Sequence, residues 1–188
     1  MKLRYVVLVL ALCAPASATA QVWYGPQASY VNGIGPGIGA RVVTELAPLL
    51  GSQDRIVSRL TGALAADYVF MEEATFFGEP VDQKYWEVNG SVAYMIPIKA
   101  AARPYAGAGL SLGKLSSSAS AEVEEMLPGN TSGSMMGLNL LAGVRFPQVS
   151  VPFFLELRLS TIQFAADGSS EGEKGGIYLT GGLLFGGR

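Results

Sequence analysis

The chain has 188 residues, of which 49% are hydrophobic and only 15% charged, against about 25% charged in ordinary soluble domains. It holds one cysteine, Cys13, and no histidine, which excludes an internal disulfide and removes the commonest general base and metal ligand. Its net charge is −2, and that balance excludes nucleic acid as an expected partner.

The first twenty residues read as a secretory leader. Lys2 and Arg4 give a basic start, Tyr5 to Leu12 an apolar run too short to span a bilayer, and Ala18-Thr19-Ala20 a small-residue cleavage site. Leu10-Ala11-Leu12-Cys13 is a poor lipoprotein box, because Leu12 is too large for the position before the cysteine. Cleavage after Ala20 would leave residues 21–188 as one domain without the cysteine, with 11 basic against 15 acidic residues and a net charge of −4. Beyond Ala20 no apolar run reaches the roughly 18 residues of a spanning helix. Twenty-four glycines argue against a helix bundle. An apolar, glycine-rich, exported chain of this kind is all-β, either a secreted domain or a barrel that hides its apolarity by alternation.

Side chains of a strand alternate between two faces, so period two is the test. Eight segments meet it. Val22 to Tyr30 is the most irregular, since Pro26 is tolerable only near an edge or bulge. Asn32-Gly33 then signals a hairpin. In the second segment Ile38, Ala40, Val42 and Leu46 oppose Gly37, Gly39, Arg41 and Glu45. In the third, Leu60, Leu64, Tyr68 and Phe70 oppose Thr61 and Asp67. Tyr85 to Ile96 is the clearest: Trp86, Val88, Val92, Tyr94 and Ile96 against Glu87, Asn89 and Ser91. Ala106, Ala108, Leu110 and Leu112 then oppose Tyr105, Gly107, Gly109 and Ser111. Met136 to Phe146 alternates with Gly137, Asn139, Gly143 and Arg145, with Leu141 as the exception. Val151 to Leu159 alternates with Glu156, Arg158 and Ser160. The last segment sets Ile177, Leu179, Leu183 and Phe185 against Tyr178, Thr180 and Gly182.

The links between segments alternate in length. Met71 to Gln83, Ser116 to Gly133 and Ala165 to Gly175 are long, while Pro97 to Ala102 and Pro147 to Ser150 are short. Ala47 to Arg59 breaks the rhythm. Short turns at one end and long loops at the other are the asymmetry of outer-membrane barrels. Charge sorts the same way. The long links hold Glu72, Glu73, Glu79, Asp82, Glu122, Glu124, Glu125, Asp167, Glu171 and Glu173, and the short-turn end holds Arg55, Arg59, Lys99 and Arg103 against Asp54. The polar strand face carries Arg41, Glu45, Glu87, Arg145, Glu156 and Arg158, and inside a narrow barrel such groups must pair. These six are the expected polar network of the lumen. Trp23, Tyr24, Tyr30, Tyr68, Phe70, Tyr85, Trp86, Phe146, Phe153 and Phe185 lie near strand ends, as interfacial girdles do.

Four phrases carry a resemblance: Arg103-Pro-Tyr-Ala-Gly-Ala-Gly-Leu110, Gly143-Val-Arg-Phe146, Phe154-Leu-Glu-Leu-Arg158 and Ile177-Tyr-Leu-Thr-Gly-Gly-Leu-Leu-Phe185. With the strand pattern they resemble the small eight-stranded outer-membrane β-barrel proteins of the OmpX/OmpA-like kind. The resemblance implies an eight-stranded antiparallel up-and-down transmembrane β-barrel, inserted into a Gram-negative outer membrane by the barrel-assembly machinery. Its partners would be membrane lipid and lipopolysaccharide, and it would be a monomer without cofactor or metal. The assembly machinery reads a last strand ending in an aromatic residue; here Phe185 is followed by Gly186-Gly187-Arg188. Enzymes of this architecture use an active-site histidine, which this chain lacks, so no catalytic residue is assigned. The expected role is structural, in envelope integrity or surface interaction, with the lumen filled by side chains. Two alternatives are a conduit or binding protein for small apolar molecules and a soluble lipocalin-like barrel with the apolar face inward. Carboxylates of the long loops could also hold Ca²⁺ or Mg²⁺ against lipid phosphates.

Overall fold

The computed structural model describes residues 21–71, 74–76, 79–98, 100–118, 132–165 and 173–187, with the backbone alone at 74–76, 79–82, 117–118, 132, 163–165 and 173–175. The expected leader and most of the acidic loop residues therefore lie outside the described residues. So does the single helical turn or two that Ser120 to Met126 could form.

The described chain is almost entirely strand: β1 (Val22–Val31), β2 (Gly35–Glu45), β3 (Leu60–Phe70), β4 (Ala74–Phe76), β5 (Glu79–Met95), β6 (Arg103–Ser118), β7 (Ser132–Phe146), β8 (Phe153–Ala165), β9 (Glu173–Leu183) and β10 (Phe185–Gly186). Every pairing is antiparallel, and the long strands each pair with the next long strand in the chain until β1 meets β9 and β10, which closes the sheet on itself. β4 and β10 are accessory pieces. β4 pairs only with the start of β5, extending a hairpin beyond the wall, and β10 continues the line of β9 after Leu184. Eight walls remain. The chain is a closed, up-and-down, eight-stranded barrel.

The register fixes its shape. Val22 pairs with Thr44, then Gly62, Val92, Ala108, Leu140, Leu159 and Ile177 follow strand by strand, and the Ile177 carbonyl accepts a hydrogen bond from the Asn32 N–H at 2.9 Å. One circuit thus returns to β1 ten residues further along, from Val22 to Asn32. For eight strands about 4.8 Å apart rising about 3.3 Å per residue, that stagger tilts the strands about 40° and gives a backbone radius of about 8 Å. Such a bore is filled by side chains.

The predicted eight segments are these eight walls, but their ends differ. β5 begins at Glu79, β6 runs to Ser118, β7 begins at Ser132 and β9 at Glu173. Each therefore reaches into a segment read as loop. These extensions are rich in serine, glycine and glutamate, so alternation has nothing to mark there. Leu46, read as the end of the second strand, instead opens a short helix, α1 (Leu46–Leu49), and Val57–Arg59 forms a 3₁₀ turn. Asp54 Oδ1 accepts from the N–H groups of Ile56 and Val57 at 2.7 and 3.1 Å, which starts that turn.

Pro26 sits where it does least harm. It pairs with Ala40 of β2, and the ladder to the last strand is interrupted opposite Gly25 and Pro26, where Leu184 gives its N–H to Pro152 instead. A proline has no N–H to offer that ladder.

Candidate functional site

The two faces of the wall are chemically inverted relative to a water-soluble protein. Ile38, Leu64, Val92, Leu110, Leu112, Met136, Leu138, Leu140, Leu155, Leu157, Leu159, Ile177 and Leu179 all point outward and are exposed, Leu140 by 64%. Gln27, Arg41, Asp67, Glu87, Asn89, Ser111, Asn139, Glu156, Arg158 and Thr180 point inward and are buried. No described helix is long and apolar enough to cross a membrane; the apolar surface belongs to strands. The lipocalin-like alternative, apolar inside, is the reverse of this arrangement and is set aside.

Two ionic networks fill the bore. Glu87 of β5, fully buried, accepts from Arg158 of β8, from the Tyr85 and Tyr178 hydroxyls at 2.7 Å each, and from Ser111 at 2.6 Å. Arg158 also lies 3.9 Å from the centroid of the Tyr178 ring, a cation–π contact. Asn139 donates to Ser111 at 2.5 Å. Below it Arg41 of β2 grips Glu156 of β8 with two parallel bonds of 2.8 and 2.5 Å, Tyr105 donates to the same carboxylate at 2.9 Å, and Arg41 stands over Phe154. This bidentate geometry is what a guanidinium and a carboxylate form best. Between the networks Asp67 takes both bonds from the Gln27 amide at 2.8 Å.

Apolar layers flank the ionic ones. Val31, Val69, Tyr85, Ile162 and Tyr178 pack together towards the long-loop end, and Val43, Phe154 and Leu184 towards the short-turn end. Leu141, the exception in the sequence pattern, is inward and buried against Ala93 and Tyr105. Lumen glycines make room for the rings. Tyr105 pairs with Gly143 and Phe154 with Gly182 across the ladder, and a Cβ on either glycine would fall 2.5 Å from the Tyr105 ring or 2.6 Å from that of Phe154.

Of the six residues expected in the network, the structure brings together Arg41 with Glu156 and Glu87 with Arg158. Arg145 and Glu45 stand apart, half-buried at the mouth of the short-turn end. Asp67 is the acid that belongs to the deep lumen and was not assigned to it. The tyrosines Tyr85, Tyr105 and Tyr178 were also missed as network members. Their signal was present in parity, since each lies an even number of residues from a polar lumen residue on its own strand. Tyr85 therefore leaves the girdle for the core, and Trp23 turns to the mouth, where Arg145 lies 5.6 Å from its ring centroid. The other aromatics are outward or, as Phe146 and Phe153 are, stacked across β7 and β8 with centroids 4.4 Å apart. On the outer surface Lys84 and Lys114 flank Trp86, with Tyr68 and Phe70 on the neighbouring strand. Among the described residues no group of His, Cys, Asp or Glu is arranged to hold a metal ion.

No protein-family model matches the chain, and no curated protein sequence does. Solved structures do match. Neisserial surface protein A is similar over 89% of this chain and 94% of its own, with a TM-score of 0.51 and 17% identity. The N-terminal β-barrel domain of OprF from Pseudomonas aeruginosa is similar over 88% of this chain and 97% of its own, with a TM-score of 0.52 and 14% identity. A major outer membrane protein from Thermus thermophilus covers 89% of this chain with 100% of its own, at a TM-score of 0.51 and 14% identity. At such identities the likeness is one of fold, and the fold is that of the small eight-stranded outer-membrane barrels.

Proposed function

We propose that the chain is an integral outer-membrane barrel, exported with a leader cleaved after Ala20, with a non-enzymatic role in envelope integrity or surface interaction. The observation that carries this reading is the inversion of the wall: a belt of leucine, isoleucine, valine and methionine faces outward around a bore filled by ion pairs. In water that belt would be a very large aggregating patch; in lipid it is the expected lining. Its height agrees. Eleven residues, as in β2 or β3, rise roughly 28 Å at a tilt of about 40°, against an apolar band of about 25 Å.

In this reading the long-loop end faces outside, and the Lys84, Lys114 and Trp86 cluster meets the headgroup region of the outer leaflet, where lysine and tryptophan favour lipid phosphate and the interface respectively. Lipid and lipopolysaccharide are then the lasting partners, the barrel-assembly machinery is a transient one, and the barrel is a monomer. A conduit for small apolar molecules would need an open or apolar bore, whereas the described bore is closed by Arg41–Glu156 and Arg158–Glu87.

Envelope fractionation followed by a denaturing gel of boiled and unboiled samples tests the proposal. The protein should sediment with the outer membrane and change mobility on boiling. Recovery in the soluble periplasm, or a mobility indifferent to heat, would refute it.

A further inference from the structure

Deep in the bore each buried arginine has its carboxylate. At the mouth of the short-turn end that rule fails. Arg103 and Arg145 occupy directly opposite positions in the β6–β7 ladder, and like charges so placed repel. Arg59, just before β3, lines the same cavity of about 330 Å³ together with Glu45, Trp23 and Thr61. Three arginines thus face one glutamate, and none of these arginines forms an ion pair among the described residues. Arg59 spends one N–H on the Tyr94 hydroxyl at 3.1 Å. Arg145 is held between two rings, 5.6 Å from the Trp23 centroid and 5.9 Å from that of Tyr105, while its Nε is buried without a hydrogen-bond partner.

An oriented guanidinium with an idle donor, opposed by a second and joined by a third, is a surface built for an acceptor. A negative charge set between Arg103 and Arg145 would relieve their repulsion. We infer that this mouth binds an oxyanion, a carboxylate or phosphate carried by a small molecule, with the planar fork of Arg145 as its principal contact. The cavity is large enough for a small ligand. Met95, Ile96, Pro147 and Leu184 supply an apolar wall on which its uncharged part can rest. Inward Trp23, Thr61 and Arg145 and residues of the short-turn end line it together, so the ligand enters from the aqueous side at that end.

The test uses the full barrel refolded in a non-ionic detergent, with Trp86→Phe leaving Trp23 as the only reporter. Inorganic phosphate and an N-acetylated dipeptide with a free carboxylate are titrated separately at constant ionic strength set with NaCl, and vesicles containing phosphatidylglycerol form a third arm. We expect a saturable change in Trp23 emission with at least one of the two small anions. Arg103→Gln and Arg145→Gln should each weaken that binding about tenfold, the loss of one charge-assisted contact. Arg55→Gln, exposed at the same end but outside the cavity, should leave it unchanged. No saturable response, or one indifferent to both arginine variants, would overturn the inference. So would saturation by phosphatidylglycerol vesicles alone, which would make the mouth a lipid contact. Arg103 is exposed, so its variant is expected to fold even if that of Arg145 does not. The readout concerns the mouth itself and is independent of where the cell places the barrel.

Discussion

At the scale of single residues the bore is held by groups that tolerate no partial removal. Glu87 satisfies four donors from four side chains. Glu87→Ala therefore removes the carboxylate that Arg158, two tyrosine hydroxyls and Ser111 share in the buried bore. We expect a loss of about 3–5 kcal/mol, as for breaking a buried ion pair, measured by urea unfolding of the barrel in lipid vesicles. The Arg41–Glu156 pair permits a sharper comparison. The double variant Arg41→Met with Glu156→Leu should be more stable than Glu156→Leu alone, because the single change leaves an unpaired buried cation and the double does not. Raising NaCl should leave wild-type stability nearly unchanged, since both pairs are shielded from salt. Gly143→Ala places a methyl group against the Tyr105 ring, and overpacking of that kind should cost about 1–3 kcal/mol. The ionic partners were legible in the sequence because charged residues on a buried face have few ways to exist. Which arginine meets which carboxylate was not legible, for Arg41 and Glu156 lie 115 residues apart and only the stagger of the closed sheet brings them together. The tyrosines were ambiguous for a different reason: a ring with a hydroxyl suits a lipid interface as well as a wet core.

At the scale of the strand, period two located all eight walls, and it worked because one face meets hydrocarbon while the other meets charge. It weakened wherever that contrast weakened. Inward Val31, Val43, Val69, Leu141 and Ile162 blur the pattern, since the bore carries apolar layers as well as ionic ones. The strand extensions beyond the belt carry mostly polar residues at successive positions, and there the pattern vanishes. The same contrast yields a test of orientation. Leu140→Arg, in the middle of the outward face of β7, should destabilise the barrel in lipid by about 2–4 kcal/mol. An exposed leucine on a water-soluble domain would accept arginine with an effect within about 0.5 kcal/mol. The measurement is again urea unfolding in vesicles, and a neutral result would count against lipid on that face.

At the scale of the whole molecule, eight strands and a stagger of ten residues enclose a bore that two ion-pair layers and their flanking apolar layers fill. The refolded protein should therefore give no steady ion current across a planar bilayer, and a stable open conductance in the wild-type barrel would contradict the packed lumen. The cylinder is nonetheless not uniform around its circumference. Trp23–Tyr24 and Gln27–Val31 pair with the last strand, with a gap opposite Gly25 and Pro26, whereas β5 and β6 pair without interruption from Asp82–Ser118 to Met95–Tyr105. The seam that joins the two ends of the barrel wall is thus split in two. A closed sheet must zip somewhere last, and the proline selects the place. Amide hydrogens along β1, β9 and β10 should exchange with deuterium before those of β5 and β6, and a wall that parts at all should part there, like a cuff at its fastening.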